Sequence, residues 1–367
     1  MSAKPRSTRR EFLQGHAAVE ALADAIAPAD SGDRTAQPNE AAYLLHVSRR
    51  AMACTFEAFF NAGQYPHATE TALTALDLVD RLEDQLSVYR EHSELSALNR
   101  RAGQEAVPVE HALFDLLSQA SRICAETAGA YDVTAAPLSE AWGFTRRNGG
   151  IPTAEALAEA LARVGGQCLE LDDASSSVRF AKPGLKINLG SIGKGYALDR
   201  CAELLAAAGV HDFLLHGGNS SVLARGAHGS LAQDQGWAVG VRNPLRPDRR
   251  LGQVFLKDRA LATSGSGTQF FVHEGRHLGH IIDPRSGWPA EGVLSVSVLA
   301  ATAAEADALS TAFYVMGLEA TREFCAGRPQ IAAIVLCAGA RQGSLEKHRI
   351  GLEEREWMDG DDRNRTD

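Results

Sequence analysis

Residues 186–199 restrict the fold of this chain most, because the hydrophobic pattern changes there from that of a strand to that of a helix. The strand pattern consists of three apolar residues that alternate with polar ones, at Leu185, Ile187 and Leu189. A turn with three glycines follows, at Gly190, Gly193 and Gly195. Apolar residues then recur at helical spacing, at Leu198, Cys201, Leu205 and Ala208. Gly209 predicts the end of this helix.

A strand, a glycine turn and a helix start in direct succession predict an anion-binding site. The free N–H groups and the positive end of the helix dipole face the ligand, and Lys194 adds a full positive charge. The spacing matches neither GxGxxG nor GxxxxGK[ST], so the common dinucleotide-binding and P-loop interpretations fail. On glycine spacing alone, an ordinary strand-to-helix turn remains an equal alternative.

The composition is that of an ordinary globular protein. Of 367 residues, 45% are hydrophobic and 23% are charged, and this length favours about two domains or one large one. The net charge of −9 and the lack of a basic, aromatic-rich patch argue against a nucleic-acid surface. No apolar run is long enough to cross a bilayer. The six cysteines lack a CxxC pair, which predicts small buried residues rather than a disulfide or zinc framework.

The first 40 residues are compatible with an export signal or with a disordered leader. Residues 7–14 contain a twin-arginine pattern, Arg9-Arg10 followed by a Phe-Leu pair. The alanine-rich stretch after it is interrupted by Glu20 and Asp24, whereas an export signal needs an uninterrupted apolar run. We therefore exclude residues 1–40 from the fold, and both a periplasmic and a cytoplasmic location stay open.

The remaining chain is expected to form one domain over residues 41–340, followed by a charged, solvated tail over residues 341–367. The predicted helices are 68–89, 108–127, a short one within 145–166, the one that ends at Gly209, and 304–317. The apolar face of the first contains Leu73, Leu76, Val79, Leu82 and Leu86. Strands are predicted at 43–47 and 54–60, which pair with each other, and at 269–273 and 280–282, which frame a hairpin. Further strands are predicted at 185–189, 212–216, 221–225, 237–241, 252–257, 260–263, 293–300 and 330–337. Residues 93–99 are predicted as a loop. Runs of strands mixed with a few long helices favour an α+β fold.

A carboxylate and a hydroxyl share one face of the last predicted helix. Asp307 and Thr311 are four residues apart, so they lie one turn from each other. Together with a carbonyl oxygen, this pair suits a cation that prefers oxygen ligands, such as Mg²⁺. The alternative is a local hydrogen bond on a solvated helix face.

Two further groups could take part in chemistry. His280, three residues before Asp283, could act as an acid or base, or this segment could be a structural turn in which Asp283 binds its own backbone. Tyr131 next to Asp132 could stack on and anchor a flat heterocycle. The alternative for this pair is a packed aromatic residue beside a turn aspartate.

Eight short segments follow one another in a fixed order between residues 43 and 340. They are Met52–Phe56, Leu86–Tyr89, Ser93–Asn99, Gly129–Phe144, Asn188–Asp199, Thr263–Gly265, His280–Gly287 and Ala306–Ala312. Among them are the sequences Gly-Ser-Ile-Gly-Lys-Gly-Tyr, His-Ile-Ile-Asp-Pro and Ala-Asp-Ala-Leu-Ser-Thr-Ala. In this order, the segments resemble the motifs of the ApbE family of FAD:protein FMN transferases.

The resemblance implies an ApbE-like, T-fold-related α+β fold, with mixed or antiparallel sheets and flanking helices. It implies FAD contacts at Met52, Tyr89, Ala130, Tyr131, Asp132, Asn188, Lys194 and Ile281. It implies Mg²⁺ ligands at Asp307, Thr311 and the backbone oxygens of Ser191 and Ala304. His280 matches the histidine implicated in catalysis, and Asp283 is its expected orienting partner or an alternative proton acceptor.

The implied activity is Mg²⁺-dependent transfer of FMN from FAD to a Thr or Ser hydroxyl of an acceptor flavoprotein, with release of AMP. The expected partners are FAD and this acceptor, including a membrane-associated one, and no nucleic acid. Asn188 replaces an Asp of the family pattern, and residues 266–269 replace its Asp-Tyr-Glu-Arg. These departures keep two alternatives open: a metal-dependent FAD pyrophosphatase that gives FMN and AMP, and a non-catalytic protein that binds or delivers FAD.

Overall fold

The computed structural model describes residues 43–146, 149–229, 235–267, 269–341 and 343–360. The predicted leader and residues 361–367 of the predicted tail lie outside these ranges. Within them, no helix combines the length and the apolar character needed to cross a membrane. The six cysteines, all within these ranges, are free thiols, and Cys124, Cys201 and Cys325 are buried as their scattered positions predict.

Strands outnumber helices along the described chain. The strands are β1 (Leu44–Ala51), β2 (Cys54–Asn61), β3 (Val107–Pro108), β4 (Leu169–Asp172), β5 (Ser177–Phe180), β6 (Phe213–Gly217), β7 (Ser221–Arg225), β8 (Trp237–Asn243), β9 (Arg246–Leu256), β10 (Ala260–Gly265), β11 (Phe270–His273), β12 (Arg276–Gly279), β13 (Ser295–Ala300), β14 (Ala332–Ala338), β15 (Leu345–Ile350) and β16 (Trp357–Asp359). The α-helices are α1 (Ala68–Leu86), α2 (Glu94–Arg101), α3 (His111–Glu126), α4 (Ala136–Ala141), α5 (Ala154–Leu161), α6 (Gly193–Ala207) and α7 (Ala303–Ala326).

An eight-stranded antiparallel sheet lies at the centre, in the order β1-β2-β6-β7-β10-β13-β14-β15. The predicted pairing of its first two strands is confirmed, with a register from Leu44↔Asn61 to Ala51↔Cys54. Met52 and Ala53 form the turn with φ of 48° and 59°, because a two-residue turn that matches the twist of the strands needs positive φ at both positions.

Hydrophobic residues cover both faces of this sheet. The largest core cluster joins one face to α1, α3, α6 and α7, with Leu76, Leu117, Leu198 and Leu309 at most 3% exposed. A second cluster joins the other face to the three-stranded sheet β16-β9-β8 and contains Trp237. A third, smaller cluster packs α4 and α5 against the hairpin β11–β12. The predicted α+β fold is therefore confirmed.

Two segments have a different conformation from the one that their patterns predict. Residues 93–99 belong largely to α2 rather than to a loop: the Ser93 hydroxyl accepts a hydrogen bond from the Ser96 N–H at 2.9 Å, and Leu95 and Leu98 are fully buried. Residues 185–189 alternate in burial as predicted but join no sheet. The Asn99 side chain binds the N–H and the C=O of Ile187 at 2.7 and 2.9 Å, and so replaces a partner strand.

The C-terminal segment is more ordered than its charge pattern predicts. β15 pairs with β14 from Ala333↔Ile350 to Ala338↔Leu345, and Trp357 of β16 is buried in the second cluster. The expectation of a solvated tail is therefore wrong over these strands, because their half-buried faces extend the two sheets.

One strand pairing, two helix ends and one buried position also need correction. β11 pairs with β12 and not with residues 280–282, because Glu274 and Gly275, with φ of 48° and 79°, form a tight turn. The first helix ends at Leu86, before Tyr89, and Leu73 on its predicted buried face is 43% exposed. The helix predicted from Pro108 begins at His111.

α6 and α7 cross at their first turns, and each helix supplies a carboxylate that caps the other. Asp199 of α6 accepts hydrogen bonds from the N–H groups of Ala303 and Ala304 at the start of α7, both at 2.8 Å. Asp307 of α7 accepts one from Gly195 at the start of α6, at 2.7 Å. Both carboxylates satisfy free N–H groups at the positive end of a helix dipole. The crossing requires glycine, since a Cβ on Gly195 would lie 2.1 Å from the Ala303 carbonyl oxygen.

We expect Gly195→Ala to lower the free energy of unfolding by about 3 kcal/mol or more, because the added methyl group forces the two helices apart. Gly193→Ala on the same helix is the matched control, since its nearest contact would be an ordinary 3.9 Å to the Leu189 Cβ. Urea unfolding of both variants measures the difference. Equal stability of the two variants would contradict the close approach of the helices.

Candidate active site

A cavity of about 700 Å³ opens beside the first turns of α6 and α7. Its walls come from segments that are distant in sequence: 130–139, 188–194, 219–220, 240–244, 263–267, 280–284, 294–297 and 307–311. The predicted site residues in its lining are Ala130, Tyr131, Asp132, Asn188, Ser191, Lys194, His280, Ile281, Asp307 and Thr311. Four predicted site residues are not in its lining: Met52, Tyr89, Asp283 and Ala304.

Asp307 is the most buried carboxylate of the lining, with 5% of its surface exposed. Its Oδ2 accepts the Gly195 N–H, and its Oδ1 accepts the hydroxyl of Ser221 at 2.6 Å. The Lys194 Nζ lies 3.9 Å from Oδ2. A carboxylate has about four acceptor positions, so Asp307 keeps the capacity to bind a cation.

Hydroxyl groups surround the same helix face. The Ser264 Oγ lies 2.8 Å from the Ser310 Oγ and 3.2 Å from the Thr311 Oγ1. Thr311 Oγ1 is 3.4 Å from the Asp307 carbonyl oxygen, a long contact that leaves the hydroxyl available to the cavity. Asp307 and Thr311 thus face a cavity rather than bulk solvent.

The donor set fits a cation that prefers oxygen. Asp307, Thr311 and Ser191 offer a carboxylate, hydroxyls and carbonyl groups, which are the ligands of Mg²⁺ in proteins. Within the described ranges, no group of three His, Cys, Asp or Glu residues could hold a metal by itself. A cation here would therefore complete its shell with water or with oxygens of a bound ligand.

The Tyr131 hydroxyl is a buried polar atom without a hydrogen bond to any described residue. Burial raises the pKa of Tyr131. The Ser191 side chain is close enough to reduce this rise, but the two residues form no hydrogen bond of normal geometry. Buried polar groups are nearly always satisfied, so a ligand or water in the cavity is the expected partner.

His280 is held by the main chain. Its N–H and its Nδ1 lie 3.1 and 3.2 Å from the carbonyl oxygen of Gln269. A carbonyl only accepts hydrogen bonds, so Nδ1 carries the hydrogen and Nε2 is the nitrogen left to accept a proton. Burial lowers the pKa of His280 below its ordinary value of 6.5, and the bond to Gln269 opposes this shift. The ring is thus a neutral base at neutral pH.

Asp283 does not orient His280, so this part of the prediction is wrong. Its two carboxylate oxygens accept hydrogen bonds from the Arg285 side chain, both at 2.9 Å, and Oδ1 also accepts the Arg285 N–H. The alternative of a structural turn holds, because Asp283 is engaged with a residue of its own turn while Gln269 orients His280.

The carboxylate of Asp132 is also engaged within the protein. Oδ1 accepts the N–H and the hydroxyl of Thr134, each at 2.7 Å, and Oδ2 accepts the Gly166 N–H at 2.8 Å. Asp132 thus anchors the loop before β4 and contributes to the cavity wall with its remaining surface.

A second cavity of about 900 Å³ adjoins the first and contains Tyr89. Ala136 and Asn188 line both cavities. Tyr89 is 80% exposed at the edge of this second cavity. The Asn188 Oδ1 accepts the Gly190 N–H at 2.9 Å, which shapes the glycine turn before Lys194.

Met52 and Ala304 lie close to the cavity but outside its lining. Met52 is in the β1–β2 turn, two residues before Cys54. Burial raises the pKa of the Cys54 thiol, and the charges of Lys194 and Asp307 also act on it. This turn therefore borders the site. Ala304 lines a separate pocket with Asp199, to which its N–H is bonded. Ala304 lies on α7 three residues before Asp307, and its backbone oxygen stays a predicted ligand of the cation.

Several residues of the site were not identified from the sequence. Ser221 binds Asp307, Ser264 contacts Thr311, Gln269 holds His280, and Arg242 lines the cavity from β8. Ser264 falls within the recognised segment Thr263–Gly265, which could have indicated a role. The others follow no local pattern, because only the tertiary fold brings them to the cavity.

Comparisons of sequence and of structure with known proteins indicate the same family. A sequence model of the ApbE family matches residues 52–335. The FAD:protein FMN transferase of Salmonella typhimurium is 34% identical over 256 residues, which cover 68% of this chain and 71% of that protein. The Treponema pallidum protein of the same name is 33% identical over 253 residues, 66% of this chain and 70% of that protein.

Solved structures agree with the sequence comparison. The ApbE protein from Thermotoga maritima has 30% identity and a TM-score of 0.73, and the match covers 83% of this chain and 97% of that one. The flavin transferase ApbE from Vibrio cholerae has 27% identity and a TM-score of 0.72, with coverage of 84% and 97%. The family match includes the glycine turn, His280 and the whole of α7, and this chain belongs to the ApbE family.

Proposed function

We propose that this protein transfers FMN from FAD to the hydroxyl of a Thr or Ser residue in an acceptor protein and releases AMP. The observation that carries the proposal is the meeting of Lys194, His280, Asp307 and Thr311 around one cavity in a chain of the ApbE family. Phosphoryl transfer depends mainly on positioning and on neutralising charge, and these residues supply both.

In this proposal, Lys194 and the positive end of the α6 dipole bind the pyrophosphate of FAD. Asp307, Thr311 and Ser191 would hold Mg²⁺, which would supply positive charge to the phosphate oxygens. Ser221 fixes the orientation of Asp307 through its 2.6 Å hydrogen bond. Tyr131 would donate its unsatisfied hydroxyl to the bound substrate.

His280 is the proposed general base. Its Nε2 takes the proton of the acceptor hydroxyl while the hydroxyl oxygen forms a bond to the FMN phosphorus. The bond from that phosphorus to the AMP oxygen breaks, and the electron pair leaves with AMP. Gln269 keeps the ring in the tautomer that this step needs.

FAD is long enough to need both cavities. Ala130 and Ile281 would contact it in the first cavity, Tyr89 would contact it in the second, and Asn188 would contact it where the two meet. Met52 would contribute from the β1–β2 turn. Asp132 would act through the loop that it holds rather than through its engaged carboxylate.

The deciding experiment is mass spectrometry of an acceptor domain with a flavinylation-type Thr, incubated with this protein, FAD and Mg²⁺. A mass gain equal to covalently bound FMN, which a chelator abolishes, supports the proposal. Release of FMN and AMP without a mass gain would indicate a pyrophosphatase. Bound FAD without any AMP would indicate a carrier.

We expect Asp307→Asn to lower the rate of FMN transfer about 100-fold or more, because the cation loses its charged ligand. Glu319→Gln on the same helix is the control, since that side chain is 81% exposed and away from the cavity. Transfer rates and calorimetric titration with Mg²⁺ are both measured, with thermal unfolding to check the fold. Transfer at the wild-type rate by Asp307→Asn would reject the metal assignment.

We expect His280→Asn to lower the transfer rate by about 10²–10⁴, the usual contribution of a general base. Asp283→Asn should keep a rate near that of the wild type, because among the described residues its carboxylate accepts side-chain and backbone hydrogen bonds from Arg285 alone. The lowered pKa of His280 predicts a wild-type rate that is constant near neutral pH and falls only as the pH drops below 6.5. A stronger effect at Asp283 than at His280 would reverse the assignment.

We further propose that residues 1–40 direct export, on the basis of the arginine pair at residues 9 and 10. Replacing the pair by Arg9→Lys and Arg10→Lys should keep the full-length protein in the cytoplasm, whereas the unchanged chain reaches the periplasm. Cell fractionation with immunoblotting measures the location. Cytoplasmic retention of both proteins would show that the leader is not an export signal.

A further inference from the structure

Arg242 is a cation of the cavity lining whose charge no described carboxylate balances. Lys194, the other permanently cationic side chain among the described lining residues, lies 3.9 Å from Asp307 and so has a carboxylate partner. Arg242 forms no ion pair and no side-chain hydrogen bond with any residue in the described ranges. The first cavity therefore contains a positive charge, on Arg242, that no described carboxylate opposes. The binding of a cation by Asp307 gives this charge no role.

The backbone changes its register at Arg242. β8 and β9 pair regularly from Trp237↔Leu256 to Val241↔Gly252, and the register then shifts so that Arg242 faces Arg250. Such an irregularity bends a strand and changes the direction of a side chain. Val241 is buried in the second core cluster and Arg242 is exposed, and both residues line the cavity. The irregularity thus lies within the cavity wall, where the strand changes from a buried to an exposed residue.

We propose that the guanidinium of Arg242 binds the pyrophosphate of FAD, from a different wall than Lys194. The inference rests on the proposed function, in which FAD is the substrate. A guanidinium stays charged at every relevant pH and can donate two parallel hydrogen bonds to a phosphate. When the acceptor oxygen bonds to the FMN phosphorus, the broken bond leaves its electron pair on the phosphate of AMP. Arg242 stabilises the negative charge that develops there.

Calorimetric titration with ADP and with FAD, in the presence of Mg²⁺, tests the inference on the full-length protein. ADP carries a pyrophosphate without the flavin, so it isolates the proposed contact. We expect Arg242→Gln to bind both about 10- to 100-fold more weakly, the usual effect of losing a charged hydrogen bond. Arg242→Lys should recover part of the affinity, because it keeps the charge and loses the paired geometry.

Arg246→Gln is the matched control. Arg246 lies on β9 across from Asn243, is exposed, and forms no ion pair with a described residue. It does not line the cavity, so its loss should change the affinity for ADP less than twofold. Thermal unfolding of both variants should match the wild type, because neither side chain has a partner among the described residues to lose.

The result that would overturn the inference is an Arg242→Gln variant with wild-type affinity for ADP, or with a loss no larger than that of Arg246→Gln. This outcome is distinct from failure of the proposed function. If the wild type binds FAD and transfers FMN while Arg242→Gln binds ADP normally, only the role of Arg242 is rejected. If the wild type does not bind FAD at all, the proposed function itself fails.

Discussion

The structure depends on one contact, the crossing of α6 and α7 at their first turns. Two helix starts in close contact would normally leave several N–H groups without partners and two positive dipole ends near each other. Asp199 and Asp307 remove both problems, since each helix places a carboxylate on the N–H groups of the other. Gly195 makes the approach close enough for these bonds to form. The positive helix start and its carboxylate then lie in the wall of the cavity.

The two caps differ in their surroundings. Burial raises the pKa of Asp199 from 3.8 to about 6, although two backbone N–H groups oppose the shift. The folded state thus binds this proton more tightly than the unfolded state, and the contribution of Asp199 to stability decreases as the pH rises from 3.8 to about 6. Asp307 receives the Ser221 hydroxyl and lies 3.9 Å from the Lys194 Nζ. The same arrangement that caps α6 therefore places the Asp307 carboxylate in the cavity wall, where it can bind a cation.

The sequence predicts those parts of the fold that depend on local periodicity. The β1–β2 hairpin, the end of α6 near Gly209 and the alternating burial at residues 185–189 all follow from spacing. Local patterns fail where a distant side chain decides the outcome. Asn99 replaces a strand partner for Ile187, and no pattern within residues 185–189 indicates this.

The same limit applies to the site. Asp307, Thr311, Lys194 and His280 were identified because each lies within a recognisable motif. His280 and Asp283 are three residues apart, and the sequence could not distinguish a catalytic pair from a turn. The distinction depends on which partners the two side chains have in the folded protein. Gln269 binds His280, and Arg285 binds Asp283. The sequence does not place Arg242 in the site, because its position depends on a shift of register between β8 and β9.

Asn188 shows how a departure from a family motif can be neutral for the fold and favourable for the ligand. Its Oδ1 accepts the Gly190 N–H at 2.9 Å, so the turn needs an acceptor at this position and not a charge. An amide meets that need as well as the carboxylate of the family pattern does. The amide, unlike a carboxylate, adds no negative charge to a cavity that is proposed to bind a pyrophosphate. No described residue accepts a hydrogen bond from the Asn188 Nδ2. Because Asn188 lines both cavities, this amide is available to donate to a ligand that extends through them.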